Sequence, residues 1–160
     1  MTTIEQTTDD LPRWDVTPFF PSIGSREFAA AHEAVSGEIG RLQARFDELD
    51  IRGGDPLPVT DQVVAAVDEV VPSFNRLLAQ MRLVGSYLYA HTTTDARDDE
   101  ASGAQSRYQA DTAPFATLDN RFDAWLARLD LAELTTRSTE AADHAYALER
   151  GATAAAHQMS

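Results

Sequence analysis

The 160-residue chain contains no cysteine and no lysine. Without cysteine it forms no disulfide and offers no thiol nucleophile, and a zinc site would have to be built from His and carboxylates alone. Without lysine, the 13 basic residues are all Arg, and 26 Asp and Glu outnumber them to a net charge of −13. Nucleic acid and anionic membrane surfaces both call for clustered positive charge, so neither is an expected partner. The lysine deficit beside abundant Ala, Asp and Arg is the mark of a GC-rich genome, and the acidity serves solubility. No stretch approaches the ~20 apolar residues of a membrane span. The start "MTTIEQTTDD" lacks the basic beginning and apolar run of a signal peptide. A cytoplasmic location is the expectation.

What is present is helical periodicity in a single-domain length, with 43% hydrophobic residues for a core. Residues 1–10 read as a disordered polar tail, and residues 11–24 as an extended aromatic leader. Residues 11–28, "LPRWDVTPFFPSIGSREF", hold one Trp, three Phe and three Pro. A segment so rich in rings must bury some of them to offset the entropy of being ordered. Trp14, Phe19 and Phe20 are therefore expected to lie across helix faces as a strap, with Ile23 stapling the helix that Ser25 caps.

From residue 25 the chain reads as all-α. Phe28, His32, Val35, Ile39, Leu42, Phe46 and Leu49 recur at alternating spacings of four and three, which makes one stripe along a helix. Gly53, Gly54, Pro56 and Pro58 end it. Thr60 and Asp61 open a second helix striped by Val63, Val67, Val70, Phe74, Leu77, Met81, Val84 and Leu88. The repeat keeps its phase across Pro72, which predicts a kink and not a break. After "HTTTD", with Thr94 or Asp95 as cap, a third seam runs through Ala101, Ala104, Tyr108, Phe115, Leu118, Phe122, Trp125 and Leu129. It is kinked at Pro114 and interrupted only by Asp111. Three heptad-patterned helices, roughly 35–50 Å long and joined by short loops, predict a long antiparallel helical bundle without a sheet. A shorter fourth helix is expected over Thr139–Arg150, with Ala142, Tyr146 and Leu148 or Glu149 inward. "GATAAAHQMS" then reads as a loop that ends on Ser160, a cap-type residue with no helix after it.

The motifs that could carry chemistry are thin. His32-Glu33 is half of the zinc-peptidase motif H-E-x-x-H, but the second ligand position is Ser36. His32 lies on the apolar stripe, where a structural histidine is the better account. His91, Asp95, Asp98, Asp99 and Glu100 could gather a hard cation, giving a rival picture of a small metal-binding bundle. Yet carboxylates in the first turn of a helix meet its dipole favourably, and capping explains them. No Glu is followed by His three residues later, so a di-iron carboxylate bundle is excluded. His144 and His157 stand alone, on a helix surface and in a loop. Tyr87 and Tyr89, two apart, belong one to the core and one to the surface. No catalytic, cofactor-binding or metal-ligating residue is assigned.

The order of features is nonetheless specific. "RWDVTPFFPSIGSREF" resembles the Trp-Asp-Leu, Tyr-Pro-Ser and Phe leader of the oligoendopeptidase F family, zinc metallopeptidases related to thimet oligopeptidase. Trp14 and Asp15 match the leading pair, Phe20, Pro21 and Ser22 the middle segment, and Phe28 the helix start. "LVGSYLYAHTTTDARDDE", "FDAWLARLD" and "HAYALERGATAAAHQMS" resemble later stretches of the same pattern in the same order. Val16, Phe20 and Met159 depart from it conservatively. The resemblance implies a helical wall of a peptide-hydrolysing channel. The zinc, its H-E-x-x-H ligands and the general base would belong to a downstream catalytic domain that this chain lacks. Residues 25–160 would then be an N-terminal helical domain, truncated and inactive alone, whose partners are that domain and short peptide substrates. Some contacts of the leader strap would lie on the same domain. The alternative is a free-standing acidic helical-bundle adaptor, which the heptad stripes fit equally well.

Overall fold

Ser25 begins the helical body by accepting a hydrogen bond from the Phe28 N–H at 3.2 Å. This satisfies one of the donors that a helix start leaves open. The computed structural model describes residues 15–158, whose regular structure is all helical, with no strand among them. The polar tail, Trp14, Met159 and Ser160 lie outside the described residues.

Helix α1 (Arg26–Glu48) buries Phe28, Val35, Ile39, Leu42 and Phe46, the predicted stripe. It stops earlier than its glycines suggest. Asp50 takes the left-handed conformation at φ 53°, and the Ile51 N–H reaches back to the Phe46 carbonyl at 2.9 Å. That six-residue closure is a Schellman stop, and Phe46 and Ile51 are both fully buried in the core. An aspartate fills the position because short polar side chains tolerate this conformation better than most.

Helix α2 (Asp61–Thr94) is capped by the Thr60 side chain and runs 34 residues through Pro72, with the stripe in phase on both sides. Its inward face is wider than the heptad predicts, because Ala66, Val71 and Tyr87 are also buried. Helix α2 packs against several other helices, so more than one stripe must be apolar. The start of α1 meets the end of α2 through Phe28 and Tyr87, and the end of α1 meets the start of α2 through Arg45 and Glu69.

The expected third helix is two, α3 (Asp99–Thr112) and α4 (Pro114–Leu126), parted at Ala113. Pro114 has no N–H to give, and its ring crowds the carbonyl one turn back, so the ladder is interrupted there. Ala113 keeps right-handed helical angles, and the apolar seam continues, with every member from Ala101 to Leu129 buried. The cap of α3 is Asp98, accepting from the Ala101 N–H at 2.8 Å, in place of Thr94 or Asp95. Helix α2 runs on through "HTTT", where the Thr92, Thr93 and Thr94 hydroxyls donate back to carbonyls of the preceding turn and the Asp95 N–H still reaches the His91 carbonyl.

Helix α5 (Leu131–Arg137) is an addition to the expected elements. Asp130 caps it, accepting from the Glu133 N–H, and Leu134 is fully buried. Buried Ser138 then caps α6 (Thr139–Asp143) by accepting from the Ala141 N–H, and donates its own proton to the Asp68 carboxylate. The chain breaks at His144 (φ −112°, ψ 13°) and re-enters α7 (Ala145–Gln158). The expected helix over Thr139–Arg150 is thus divided, and "GATAAAHQ" is helical where a loop was expected. Alanine-rich sequence favours that outcome. The break changes the phase, so Leu148 faces inward while Ala142, Tyr146 and Glu149 face solvent. No described helix is long and apolar enough to cross a membrane.

Candidate functional site

The leader is anchored by one ring. Phe20 is buried edge-on against Phe28 at 5.5 Å and against Tyr87 at 5.0 Å, and the Tyr87 hydroxyl donates to the Phe20 carbonyl at 3.2 Å. Burial pushes the Tyr87 hydroxyl up from its usual range. Val16 and Ile23 pack on the same core, whereas Phe19 is 60% exposed. Tyr89 faces solvent at 64% exposure. The cluster is bracketed by two histidines, His91 on Tyr87 at 4.7 Å and His32 beyond Phe28 at 6.3 Å.

His32 is half-buried at the junction of α1 and α3, edge-on to Tyr108. Asp111, the one residue that interrupts the third seam, lies 3.0 Å from its Nε2. The approach is off the line of a hydrogen bond, so Nε2 has no aligned partner. The two polar interruptions of the predicted stripes therefore face each other. Glu33 points to solvent, and Ser36 stands where a second histidine would be needed. His91 lies in the last turns of α2, Asp95 and Asp98 cap helix ends, and Asp99 and Glu100 occupy the first turn of α3. His144 pairs with Asn75 at 3.1 Å, and His157 lies within α7. Among the described residues, no three His, Asp or Glu side chains stand close enough to share a metal ion. His32 and its neighbours do not fit a zinc centre.

Comparison finds no family model, no curated protein and no solved structure that matches this chain.

Two troughs at the α1–α2 surface share Arg45 and Glu69, which form a forked ion pair (2.6 and 2.7 Å). The larger, of about 640 Å³, includes Leu57, Val63, Ala66 and Trp125 in its lining. Its arginines are already engaged, Arg45 by Glu69 and Glu48 and Arg128 by the Asp55 and Arg52 carbonyls. Hydrogen bonding to Glu69 first, then Glu48, holds the Arg45 guanidinium charged.

Helix α4 and its continuation carry a second arrangement that no motif announced. Arg121 forks onto the buried Ile51 carbonyl at 3.2 and 3.1 Å, reaches Asp47 at 2.9 Å and lies 5.7 Å from the centre of the Phe46 ring. Arg128 binds two further carbonyls of the same loop, and Arg137 donates to the Val59 carbonyl and to Asp61. Three guanidinium groups thus satisfy the backbone of the loop between α1 and α2, a task suited to a planar fork of donors. Arg121→Met is expected to strand the Ile51 carbonyl and lower stability by about 1.5–3 kcal/mol. Denaturant unfolding checks this, and an unchanged midpoint would contradict it.

Proposed function

We propose that this chain is the helical, channel-wall portion of a zinc-dependent oligoendopeptidase that hydrolyses short peptides. In this reading the chemistry belongs to a catalytic domain outside these 160 residues, long antiparallel hairpins form one side of the enclosure, and the location is cytoplasmic. The reading is supported by the meeting of Phe20, Phe28 and Tyr87. Phe20 and Tyr87 are 67 positions apart, and each comes from a stretch that resembles the oligoendopeptidase F pattern. No residue of this chain is given a catalytic role.

The test is a quenched-peptide assay of the isolated chain beside the whole reading frame to which it belongs. The isolated chain is expected to be inactive with zinc added, and the whole protein to show turnover that a chelator removes. Chelator-sensitive turnover by the isolated chain would overturn the assignment, as would a reading frame that lacks H-E-x-x-H.

One observation favours a second reading, the free-standing acidic adaptor. Phe20 finds its partners within this chain, and among the described residues the large apolar side chains left exposed are Phe19, Leu83, Tyr89 and Tyr146. A wall torn from its partner would leave a broader apolar surface. A monodisperse monomer that binds no apolar dye favours the adaptor; self-association and dye binding favour the wall.

A further inference from the structure

The flank of α4 opposite its arginines carries Asp119 and Asp123, one helical turn apart. Helix α7 lies on this flank. Gly151 sits so close to Asp123 that a Cβ there would come within 2.9 Å of the carboxylate carbon and nearer still to one oxygen. The seat is therefore carboxylate against glycine backbone, with no room for a side chain between them. Among the described residues no guanidinium fork meets this pair, in contrast to the opposite flank. Arg150 on α7 acts on Asp123 without forming an ion pair, Glu149 lines the outer grooves of α7, and Asp47 on α1 is taken by Arg121.

We propose that α7 is an acid-tightened clasp: it seats on α4 most firmly when the Asp123 carboxyl carries a proton, and loosens when that group is ionised. An ionised Asp123 carboxylate beside the helix gives up part of its water, no donor among the described residues replaces it, and it faces the like charge of Asp119. Burial, and then Asp119, push the Asp123 carboxyl up, while Arg150 pulls it down. Partial desolvation also pushes the Asp119 carboxyl up, although solvent still reaches that side chain. A carboxyl raised in the folded state contributes stability that is fully present below its ordinary value of 3.8 and is lost as the pH rises through the higher folded value. Once Asp123 is ionised, α7 rests on a charge. This holds under either reading of the function.

Hydrogen exchange on the full chain, between about pH 4 and about pH 7 with intrinsic rates corrected, tests the clasp against α2 as internal reference. Protection of α7 relative to α2 is expected to fall severalfold as the pH rises. Asp123→Asn should keep α7 protected across the range and flatten the dependence. Arg150→Gln, a surface change, should move the loosening to higher pH by removing the one cation that pulls Asp123 down. Parallel behaviour of α7 and α2, a dependence that survives Asp123→Asn, or an unmoved transition in Arg150→Gln would each overturn the proposal.

Discussion

Phe46→Ala is expected to lower the free energy of unfolding by about 3–5 kcal/mol. The ring is fully buried and packs against Phe122 at 6.0 Å, with the Arg121 guanidinium 5.7 Å from its centre. The same residue's backbone carbonyl closes α1 through the Ile51 N–H, and the Ile51 side chain is buried in the same core. Truncation therefore opens a cavity where α1, α4 and the following loop meet, and it removes one support of the arginine that holds that loop. A domain of ordinary stability has about 5–15 kcal/mol in total, so the loss is a large fraction of it. The melting temperature should drop by roughly 6–20 °C. Phe46→Leu, which keeps most of the volume, should lose roughly 1–2 kcal/mol. Urea unfolding with an unchanged slope checks both values, and a loss below about 1 kcal/mol in Phe46→Ala would mean that the ring does not close this corner.

The stripes of α1 and α2 were legible because each helix holds one phase for many turns, and even Pro72 leaves that phase intact. Legibility failed at the ends and breaks of the helices. Helix α2 runs through Thr92–Thr94 beyond its expected end, Asp50 closes α1 ahead of the glycines, and His144 divides the fourth helix. Helix α5 did leave a trace, since Asp130 and Glu133 have the spacing of a capping pair. The arginine loop clamp left none, because Arg121, Arg128 and Arg137 are spread over two helices and a turn, and their acceptors are carbonyls, which a sequence does not display. Asp111 was visible as a flaw in one seam and His32 as a polar member of another. That they face each other follows only from how α3 lies on α1.

Phe20→Ala is expected to release the leader before the helices unfold. Its ring is the leader's one buried side chain among the described residues, packed against Phe28 and Tyr87, whereas Val16 and Ile23 are only partly covered. Loss of the ring should cost about 3 kcal/mol and raise the open population of the leader on the order of a hundredfold. Tyr87→Phe keeps the aromatic contact and deletes only the hydrogen bond to the Phe20 carbonyl, so it should cost about 1 kcal/mol. Chymotrypsin reads the difference at Phe19. That side chain is already exposed, but the bond after it leads directly into the docked ring. Cleavage there should be slow in the parent chain, modestly faster in Tyr87→Phe and far faster in Phe20→Ala, while the helical signal stays constant. Equal rates in all three would mean that the leader is a tail that rests on the bundle. Graded rates would mean that residues 15–24 are a structural strap closed by a single aromatic residue, with Phe19 left outward for whatever surface the protein meets next.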